Sequence, residues 1–337
     1  MYEHANTWAL VLAAGEGTRL RSLTTSASGA SIPKQFCSLS DGPSLLYEAL
    51  SRARSVASKP YTCAIVAEQH RRWWEPFQST LPMANIIVQP RNRGTANGIL
   101  LPLLHIIERD PSAQIVILPS DHHVRLESVL ARSLRRAVEQ LQWRLDETIL
   151  LGLEPEESDP ELGYIVPGRS DGRGALEVQQ FIEKPPMRTA HELIANGALW
   201  NAFILATTAQ ALLALFRRRM PGIVREMHAA VQSDRNTPRE ACAVAQLYDR
   251  LPELDFSRDI LQGHEDRLRV LPVPQCGWSD LGTPRRVADA LRRAPASQRT
   301  APAPVGAGYL NLAAQFELVR RFARQESSIG LRGAAGA

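Results

Sequence analysis

The chain has 337 residues, of which 44% are hydrophobic and 22% are charged, and its formal net charge is +4. This length suits one large α/β domain with an appendage, or two domains of medium size. The small net charge, the lack of a basic stripe with interleaved aromatic residues, and the lack of a long apolar run argue against a nucleic-acid partner and against a membrane span. The N-terminus lacks the regions of a signal peptide, so we expect a cytoplasmic protein.

The first predicted element is a buried strand that ends in a glycine loop. Residues 9–14 form a short uncharged apolar run, which is typical of a strand buried on both faces of a sheet. Gly15 and Gly17 follow, and glycines directly after a buried strand let the backbone turn tightly and direct N–H groups at an anion. The same segment supplies one hydroxyl and two cations, from Thr18, Arg19 and Lys34. The phosphate loop (residues 15–34) is therefore predicted to hold a polyphosphate.

Two better-known phosphate-binding loops do not fit this segment. A P-loop requires Gly-x-x-x-x-Gly-Lys-Ser/Thr, which the chain lacks here. The dinucleotide-binding fingerprint requires a third glycine, and that position holds Leu20. A hydride-transfer enzyme is therefore not indicated.

The rest of the chain alternates predicted strands and helices, which favours an α/β fold. The predicted strands are 62–67, 86–88, 115–118, 148–153 and 268–273, and a hairpin has arms at 163–167 and 176–181. The predicted helices are 44–56, 71–81, 95–108, 126–143, 207–232 and 238–251.

Polar residues follow the predicted strands where ligands bind in open α/β sheets, beyond the carboxyl ends of the strands. Thr95 is predicted to cap a helix that starts after the third strand, and such helix starts bind anions or polar base edges. Asp121 directly follows the fourth strand and is placed to hold Mg²⁺, which needs few protein carboxylates because phosphates and water fill its other positions. His122 and His123 are interpreted as structural.

Six ordered motifs together resemble the signature of the sugar-1-phosphate nucleotidyltransferases, and in particular the mannose-1-phosphate guanylyltransferase branch. The motifs are Gly15-x-Gly17-Thr18-Arg19-Leu20, Pro33-Lys34-Gln35-Phe36, Gly94-Thr95-Ala96, Pro119-Ser120-Asp121-His122, Glu183-Lys184-Pro185 and Trp278-x-Asp280-x-Gly282.

The resemblance implies transfer of a guanylyl group from GTP to mannose 1-phosphate, giving GDP-mannose and pyrophosphate. Arg19, Lys34 and Lys184 would be the catalytic cations, and Mg²⁺ on Asp121 and Asp280 would be the cofactor. The implied nucleotide-binding residues are Ala13, Ala14, Gly15, Gly17, Thr18, Gly94, Thr95 and Ser120. The implied sugar-binding residues are Gly163, Tyr164, Glu183 and Asn201.

The implied fold is a Rossmann-like mixed, mainly parallel sheet flanked by helices, of the nucleotide-diphospho-sugar transferase (GT-A-like) type, with a small C-terminal helical appendage. We expect a nucleotidyltransferase domain over 1–290 with a sugar-binding insertion at about 155–205. A linker at 294–308, a C-terminal helix at 309–326 and a flexible tail at 327–337 would follow. The helix is not expected to be catalytic. Its apolar stripe must be covered by another surface, so a homodimer is one alternative.

Departures from the family pattern leave the substrates open. The phosphate loop is longer than usual and has Arg21 where an aromatic residue often stands, and Ala202-Phe203 replaces the small pair that usually follows Asn201. Another hexose 1-phosphate or another nucleoside triphosphate is one alternative. A non-catalytic relative that binds nucleotide sugars and regulates a partner is another, although the retention of all the charged motif residues favours an enzyme.

Overall fold

The computed structural model describes residues 7–26, 29–170, 172–236, 242–293 and 310–315. The chain divides into two units. The sheet unit comprises Met1–Ala14, Ala49–Pro119 and Leu126–Cys276, and the loop unit comprises Gly15–Glu48, Ser120–Arg125 and Gly277–Ala337.

The strands of the described residues are β1 Thr7–Ala13, β2 Thr62–Ala67, β3 Ile86–Gln89, β4 Gln114–Pro119, β5 His123–Val124, β6 Thr148–Leu153, β7 Tyr164–Ser170, β8 Leu176–Ile182, β9 Leu199–Thr208, β10 Leu268–Val273 and β11 Trp278–Ser279. The α-helices are α1 Arg21–Thr24, α2 Leu45–Ala53, α3 Arg71–Trp74, α4 Gly94–Arg109, α5 Glu127–Gln140, α6 Met187–Ala195, α7 Ala209–Arg219, α8 Pro221–Asn236, α9 Ala243–Arg250 and α10 Pro284–Arg293. Among the described residues, no helix has both the length and the apolar character that crossing a bilayer would require.

The sheet unit is built on a nine-stranded mixed sheet in the order β3-β2-β1-β4-β9-β6-β10-β8-β7. β1 pairs in parallel with β2 and β4, so the carboxyl ends of these strands lie at one edge of the sheet. β8 and β9 run against the other strands. The chain therefore has a mixed α/β fold with helices packed on the sheet, as predicted.

The core forms where uncharged apolar runs coincide with strands. Every residue of β2 and of β6 is buried, which is the pattern of strands covered on both faces. Apolar side chains of α4 pack in the same cluster as those of β1 and β4, for example Leu100 and Leu104 with Leu10 and Ile117.

The structure differs from the sequence prediction around β9. The predicted helix at 207–232 is instead the end of β9 followed by α7 and α8. Thr208 starts α7, because its hydroxyl accepts a hydrogen bond from the Ala211 N–H. α7 ends before Pro221, whose missing N–H and fixed φ suit the first position of a new helix.

Six of the described strands and α-helices were not predicted, namely α1, α6, α10, β5, β9 and β11, whereas the hairpin was. β9 was not predicted as a strand, yet it lies in the middle of the sheet between β4 and β6. α6 and α10 were also missed. The predicted hairpin is confirmed, because β7 and β8 pair antiparallel.

The loop unit contains short elements around the predicted motifs. β5 and β11 form a two-stranded antiparallel sheet, and 3-10 turns occupy Thr18–Leu20 and Lys34–Phe36. Of the predicted C-terminal helix, only 310–315 lie within the described residues, and a helical turn starts there at Leu312. The predicted linker at 294–308 and tail at 327–337 lie outside the described residues.

Candidate active site

The two ends of the phosphate loop lie together in the loop unit. Gly17 has a φ of 61°, and a Cβ added to it would lie 3.0 Å from the Cβ and the N of Lys34. The Gln35 side chain donates a hydrogen bond of 2.9 Å to the Gly15 carbonyl. Glycine at position 17 is therefore required both by its backbone conformation and by the close approach of Lys34.

Lys34 connects the two aspartates that the sequence predicts to act as a pair. Its Nζ lies 2.8 Å from Oδ2 of Asp121 and donates a 2.6 Å hydrogen bond to the Asp280 carbonyl oxygen. The Lys34 side chain is only 4% exposed. The structure thus brings together three residues from distant motifs around one buried ammonium group.

The Asp280 carboxylate is held by two arginines and one backbone N–H. Arg286 donates to Oδ1 at 2.7 Å, Arg19 donates to Oδ2 at 3.2 Å, and the Gly282 N–H donates to Oδ1 at 3.0 Å. Burial acts to raise the pKa of Asp280, but Arg286 above all, with Lys34, lowers this pKa to about 2. Asp280 is therefore ionised at neutral pH.

Asp121 is also held in its ionised form. Burial acts to raise the pKa of Asp121, but the charge of Lys34 above all, with the hydrogen bond from Lys34, holds this pKa below its usual range. The indole N–H of Trp278 donates a hydrogen bond of 3.2 Å to Nδ1 of His122. The proton of neutral His122 therefore lies on Nε2, which is 3.7 Å from Oδ1 of Asp121.

Sequence reasoning missed three of these neighbours, namely His122, Trp278 and Arg286. The antiparallel pair β5–β11 matches Ser279 with His123 and Trp278 with Val124. The rings of Trp278 and His122 meet edge to face, with their centroids 5.2 Å apart. The only available signal was that His122 and Trp278 flank the motif aspartates. Arg286 lies on α10, which was not predicted.

The ionised carboxylates of Asp121 and Asp280, two residues that both contact Lys34, are a donor set that fits Mg²⁺, which binds one or two protein carboxylates and keeps water or phosphate ligands. Within the described ranges, no three His, Cys, Asp or Glu side chains form a group able to hold a metal ion. Substrate phosphates and water would therefore have to supply the remaining ligands.

The other predicted phosphate-binding residues differ in their exposure. Gly15 and Thr18 are exposed, and the Arg19 side chain is 45% exposed although it contacts Asp280. Ser120 is buried directly before Asp121. Ala13, the last residue of β1, is buried as well, whereas Ala14 is half-buried.

Three of the predicted sugar-binding residues lie together in the sheet unit. The Asn201 N–H donates to the Gly163 carbonyl at 2.8 Å. A Cβ on Gly163 would lie 2.6 Å from Oε2 of Glu183 and 3.3 Å from Cβ of Asn201. Tyr164 differs, because its side chain is fully buried and its hydroxyl hydrogen-bonds the Asp159 backbone N–H and carbonyl. The Tyr164 side chain therefore supports the fold at this position.

The pKa of Glu183 lies well above that of an ordinary glutamate. Burial, and then the nearby Asp255 carboxylate, raise the pKa of Glu183 to about 7, against the opposing charge of Lys184. Asp255 was not identified from the sequence. Lys184 itself is exposed and has a φ of 48°, a left-handed conformation that costs energy for a residue other than glycine.

Glu183→Gln is expected to flatten the pH dependence of stability. Because the pKa of Glu183 is raised from 4.5 to about 7 in the folded state, the native protein binds the extra proton, and stability falls as pH rises through this window. Above pH 7 the free energy of unfolding of the glutamine variant should exceed that of wild type by on the order of 1–3 kcal/mol. The variant should therefore unfold at a higher urea concentration. Urea titrations at pH 5 and pH 8 measure this, and an equal pH slope in both proteins would contradict it.

The predicted base-binding motif, Gly94–Ala96, does not contain the helix cap that the sequence predicts at Thr95. α4 starts at Gly94, and the residue at its N-cap position is Arg93, which makes no side-chain cap. The prediction of Thr95 as the N-cap is therefore wrong. The Thr95 hydroxyl instead accepts a hydrogen bond of 2.8 Å from the Phe256 N–H, which ties the helix start to the segment after α9.

Gly94→Ala is expected to be strongly destabilising. Gly94 has a φ of 81°, and a Cβ there would overlap the carbonyl oxygen of Leu254, which also accepts a 3.0 Å hydrogen bond from Ala96. We expect a loss of about 3 kcal/mol in the free energy of unfolding. Gly222→Ala in α8 is the matched control, because a Cβ there meets nothing within 4 Å, and it should stabilise by about 0.5–1 kcal/mol. Equal effects in thermal unfolding would contradict the account.

Paired carboxylates beside a lysine and a glycine loop are the groups that an enzyme needs to move a nucleotidyl group between phosphates. Comparison of the sequence with protein families gives the same class: the model of the nucleotidyl transferase family matches residues 8–296, and the chain belongs to this family.

Named relatives give a finer comparison. The mannose-1-phosphate guanylyltransferase of Escherichia coli K12 is 29% identical over 293 residues, which cover 81% of this chain. The xanthan biosynthesis protein XanB of Xanthomonas campestris is 26% identical over 279 residues, again 81% of this chain. The chain spans 57% of the length of each of these two proteins.

A solved structure is similar as well. A Thermus thermophilus protein, described as a mannose-1-phosphate geranyltransferase, superimposes with a TM-score of 0.71 at 25% sequence identity. The match covers 86% of this chain and 80% of that one.

Proposed function

We propose that the protein transfers a guanylyl group from GTP to mannose 1-phosphate, giving GDP-mannose and pyrophosphate. The observation that carries the nucleotidyl transfer is the buried Lys34 ammonium, bound to the Asp121 carboxylate and to the Asp280 carbonyl. The choice of guanine and mannose is supported by the names of the relatives and by the Pro33–Phe36 and Gly94–Ala96 motifs.

In the proposed reaction a phosphate oxygen of the sugar 1-phosphate attacks the α-phosphorus of GTP. The new P–O bond forms as the bond to the β-phosphate bridging oxygen breaks, and pyrophosphate leaves with that electron pair. No general base is needed, because the attacking phosphate is already ionised. Positioning and charge stabilisation are therefore the main tasks of the protein.

The charged residues of the loop unit are assigned to the triphosphate. Lys34 and the exposed Arg19 stabilise the charge that grows on the leaving pyrophosphate. Asp121 and Asp280 would hold Mg²⁺, which when bound neutralises charge on the phosphate oxygens. Arg286 keeps the Asp280 carboxylate ionised and oriented through its 2.7 Å hydrogen bond.

The clustered residues of the sheet unit are assigned to the sugar. Glu183 and Asn201 offer a carboxyl and an amide to the sugar hydroxyls, and Lys184 binds the sugar phosphate. The Asn201 side chain is partly committed, since its Oδ1 accepts a 3.1 Å hydrogen bond from the Phe203 N–H. Phe203 has a φ of 55° and is half-buried, and with Ala202 it is where the choice of sugar would depart from the family pattern.

The proposal is tested by pyrophosphate release, with Mg²⁺ present, across four nucleoside triphosphates and several hexose 1-phosphates. A base held by hydrogen bonds is rejected strongly when mismatched, whereas epimeric sugars differ less. We expect a sharp preference for GTP and a smaller one for mannose 1-phosphate over glucose 1-phosphate. A preference for UTP or dTTP would assign the protein to another branch of the family. Binding without release for every pair would favour a regulatory relative.

A further inference from the structure

Residues 310–315 lie beyond the region that matches the family, which ends at residue 296. They nevertheless belong to the loop unit, the same unit that contains Lys34, Asp121 and Asp280. This C-terminal clamp (residues 310–315) has no assigned role in nucleotidyl transfer.

The C-terminal clamp pairs with the chain just after Lys34 in the manner of a parallel strand. The Ser38 N–H donates to the Leu310 carbonyl at 3.0 Å, and the Leu312 N–H donates to the Ser38 carbonyl at 2.9 Å. The Ala313 N–H adds a 3.1 Å hydrogen bond to the Leu39 carbonyl. Both backbone polar groups of Ser38 are therefore satisfied by the clamp.

Side chains of the clamp strengthen this pairing. Leu312 is 0% exposed, so its whole side chain is removed from water. Asn311 donates a 2.6 Å hydrogen bond from Nδ2 to Oδ1 of Asp41. The Asn311 Oδ1 also accepts from the Ala314 N–H at 3.1 Å, which caps the helical turn that follows.

The paired segment is continuous with the turn that carries Lys34. The Cys37 N–H donates to the Lys34 carbonyl at 3.0 Å, and the Cys37 carbonyl accepts from Leu45 at 2.9 Å. Phe36, Cys37 and Ser38 are all buried. A backbone held on both sides of Ser38 restricts the turn at Lys34–Phe36, and therefore the place of the Lys34 ammonium.

We propose that the C-terminal clamp positions Lys34 for catalysis, with Leu312 and Asn311 as its positioning residues. The kinetic part of this proposal rests on the proposed function, whereas the structural part does not. It adds a positioning role to a segment that the sequence analysis did not expect to be catalytic.

The test uses the 337-residue chain carrying Leu312→Ala or, as a milder change, Asn311→Ala. Leu145→Ala is the matched control, because Leu145 is 63% exposed. Hydrogen exchange at the Cys37 and Ser38 amides should accelerate at least tenfold in Leu312→Ala, less in Asn311→Ala, and not at all in the control. The exchange of β1 amides should remain unchanged, which separates local loosening from unfolding.

Kinetics supply the second readout. Leu312→Ala should lower kcat about five- to tenfold and change the KM for the nucleotide less than twofold. In a Lys34→Met background the same substitution should have no further effect, because the clamp acts through Lys34. Equal losses in both backgrounds, or unchanged exchange at Cys37 and Ser38, would overturn the proposal. If wild type shows no turnover with any substrate pair, the proposed function fails, and the exchange result alone decides whether the clamp holds the Lys34 turn.

Discussion

Asp280→Asn is expected to reduce turnover by at least a hundredfold and to lower the free energy of unfolding by about 3 kcal/mol. The Asp280 carboxylate is buried and is the common partner of Arg286 and Arg19. Neutralising it removes the carboxylate that pairs with the buried Arg286 guanidinium. The lowering of the Asp280 pKa from 3.8 to about 2 corresponds to roughly 2–3 kcal/mol of stabilisation, in agreement with this expectation.

The pH dependence gives the sign of this effect. Because the folded-state pKa of Asp280 is depressed, its contribution to stability is present above about pH 4 and is lost as the pH falls towards 2. The stability difference between wild type and Asp280→Asn in urea titrations should therefore shrink in acid. A difference that stayed constant from pH 7 to pH 2 would contradict the ionised, arginine-bound state of Asp280.

Three further variants calibrate this prediction. Asp289→Asn on α10 is the surface control, because its arginine partners Arg285 and Arg292 are exposed, and it should change stability by less than about 1 kcal/mol. Asp121→Asn should match Asp280→Asn in lost turnover. The double variant should be little slower than the slower single variant, since one shared metal site is lost only once. Fully additive losses would argue against a shared metal.

Lys34→Met is expected to lower kcat by a factor on the order of 10²–10⁴ with a much smaller change in nucleotide affinity. The methionine side chain preserves most of the volume of this buried residue, so the loss reports the missing charge and hydrogen bonds rather than a cavity. In the proposed reaction the ammonium would stabilise pyrophosphate most strongly in the transition state, when charge has built up on the leaving group.

Lys59→Met is the matched control for this change. Lys59 is an exposed lysine whose Nζ donates to the Ser79 carbonyl at 3.2 Å, and the variant should keep the wild-type kcat. Initial rates over a range of GTP concentrations separate kcat from KM. If Lys34→Met retained kcat and lost only affinity, the role in stabilising the leaving group would be wrong.

The parts of the fold that the sequence predicted well are those with a simple periodic or uniform pattern. β2 and β6 start and end where their uncharged apolar runs do, at Thr62–Ala67 and Thr148–Leu153. β9 was missed because its residues continue without a turn signal into α7, so the apolar positions of strand and helix merge. Only the pairing with β4 and β6 establishes that Thr207 and Thr208 are in a strand.

At the candidate site the sequence predicted the functional residues but not the tertiary contacts between them. The motifs predicted Lys34, Asp121 and Asp280 as functional residues, and the structure places the three together. The sequence did not predict that Lys34 would be buried between the aspartates, or that Arg286 would hold Asp280. Such contacts depend on tertiary packing, which brings Lys34 to a residue 246 positions away. The buried state of Tyr164 was equally invisible, because a tyrosine in a ligand motif and one in a core look alike in sequence.

The most direct test of the account is the rate of pyrophosphate release from GTP with and without mannose 1-phosphate, together with mass analysis of the nucleotide product. We expect release that depends on both mannose 1-phosphate and Mg²⁺, formation of GDP-mannose, and loss of this activity in Lys34→Met but not in Lys59→Met. GTP hydrolysis independent of the sugar phosphate, or sugar-dependent release that survives in Lys34→Met, would contradict it.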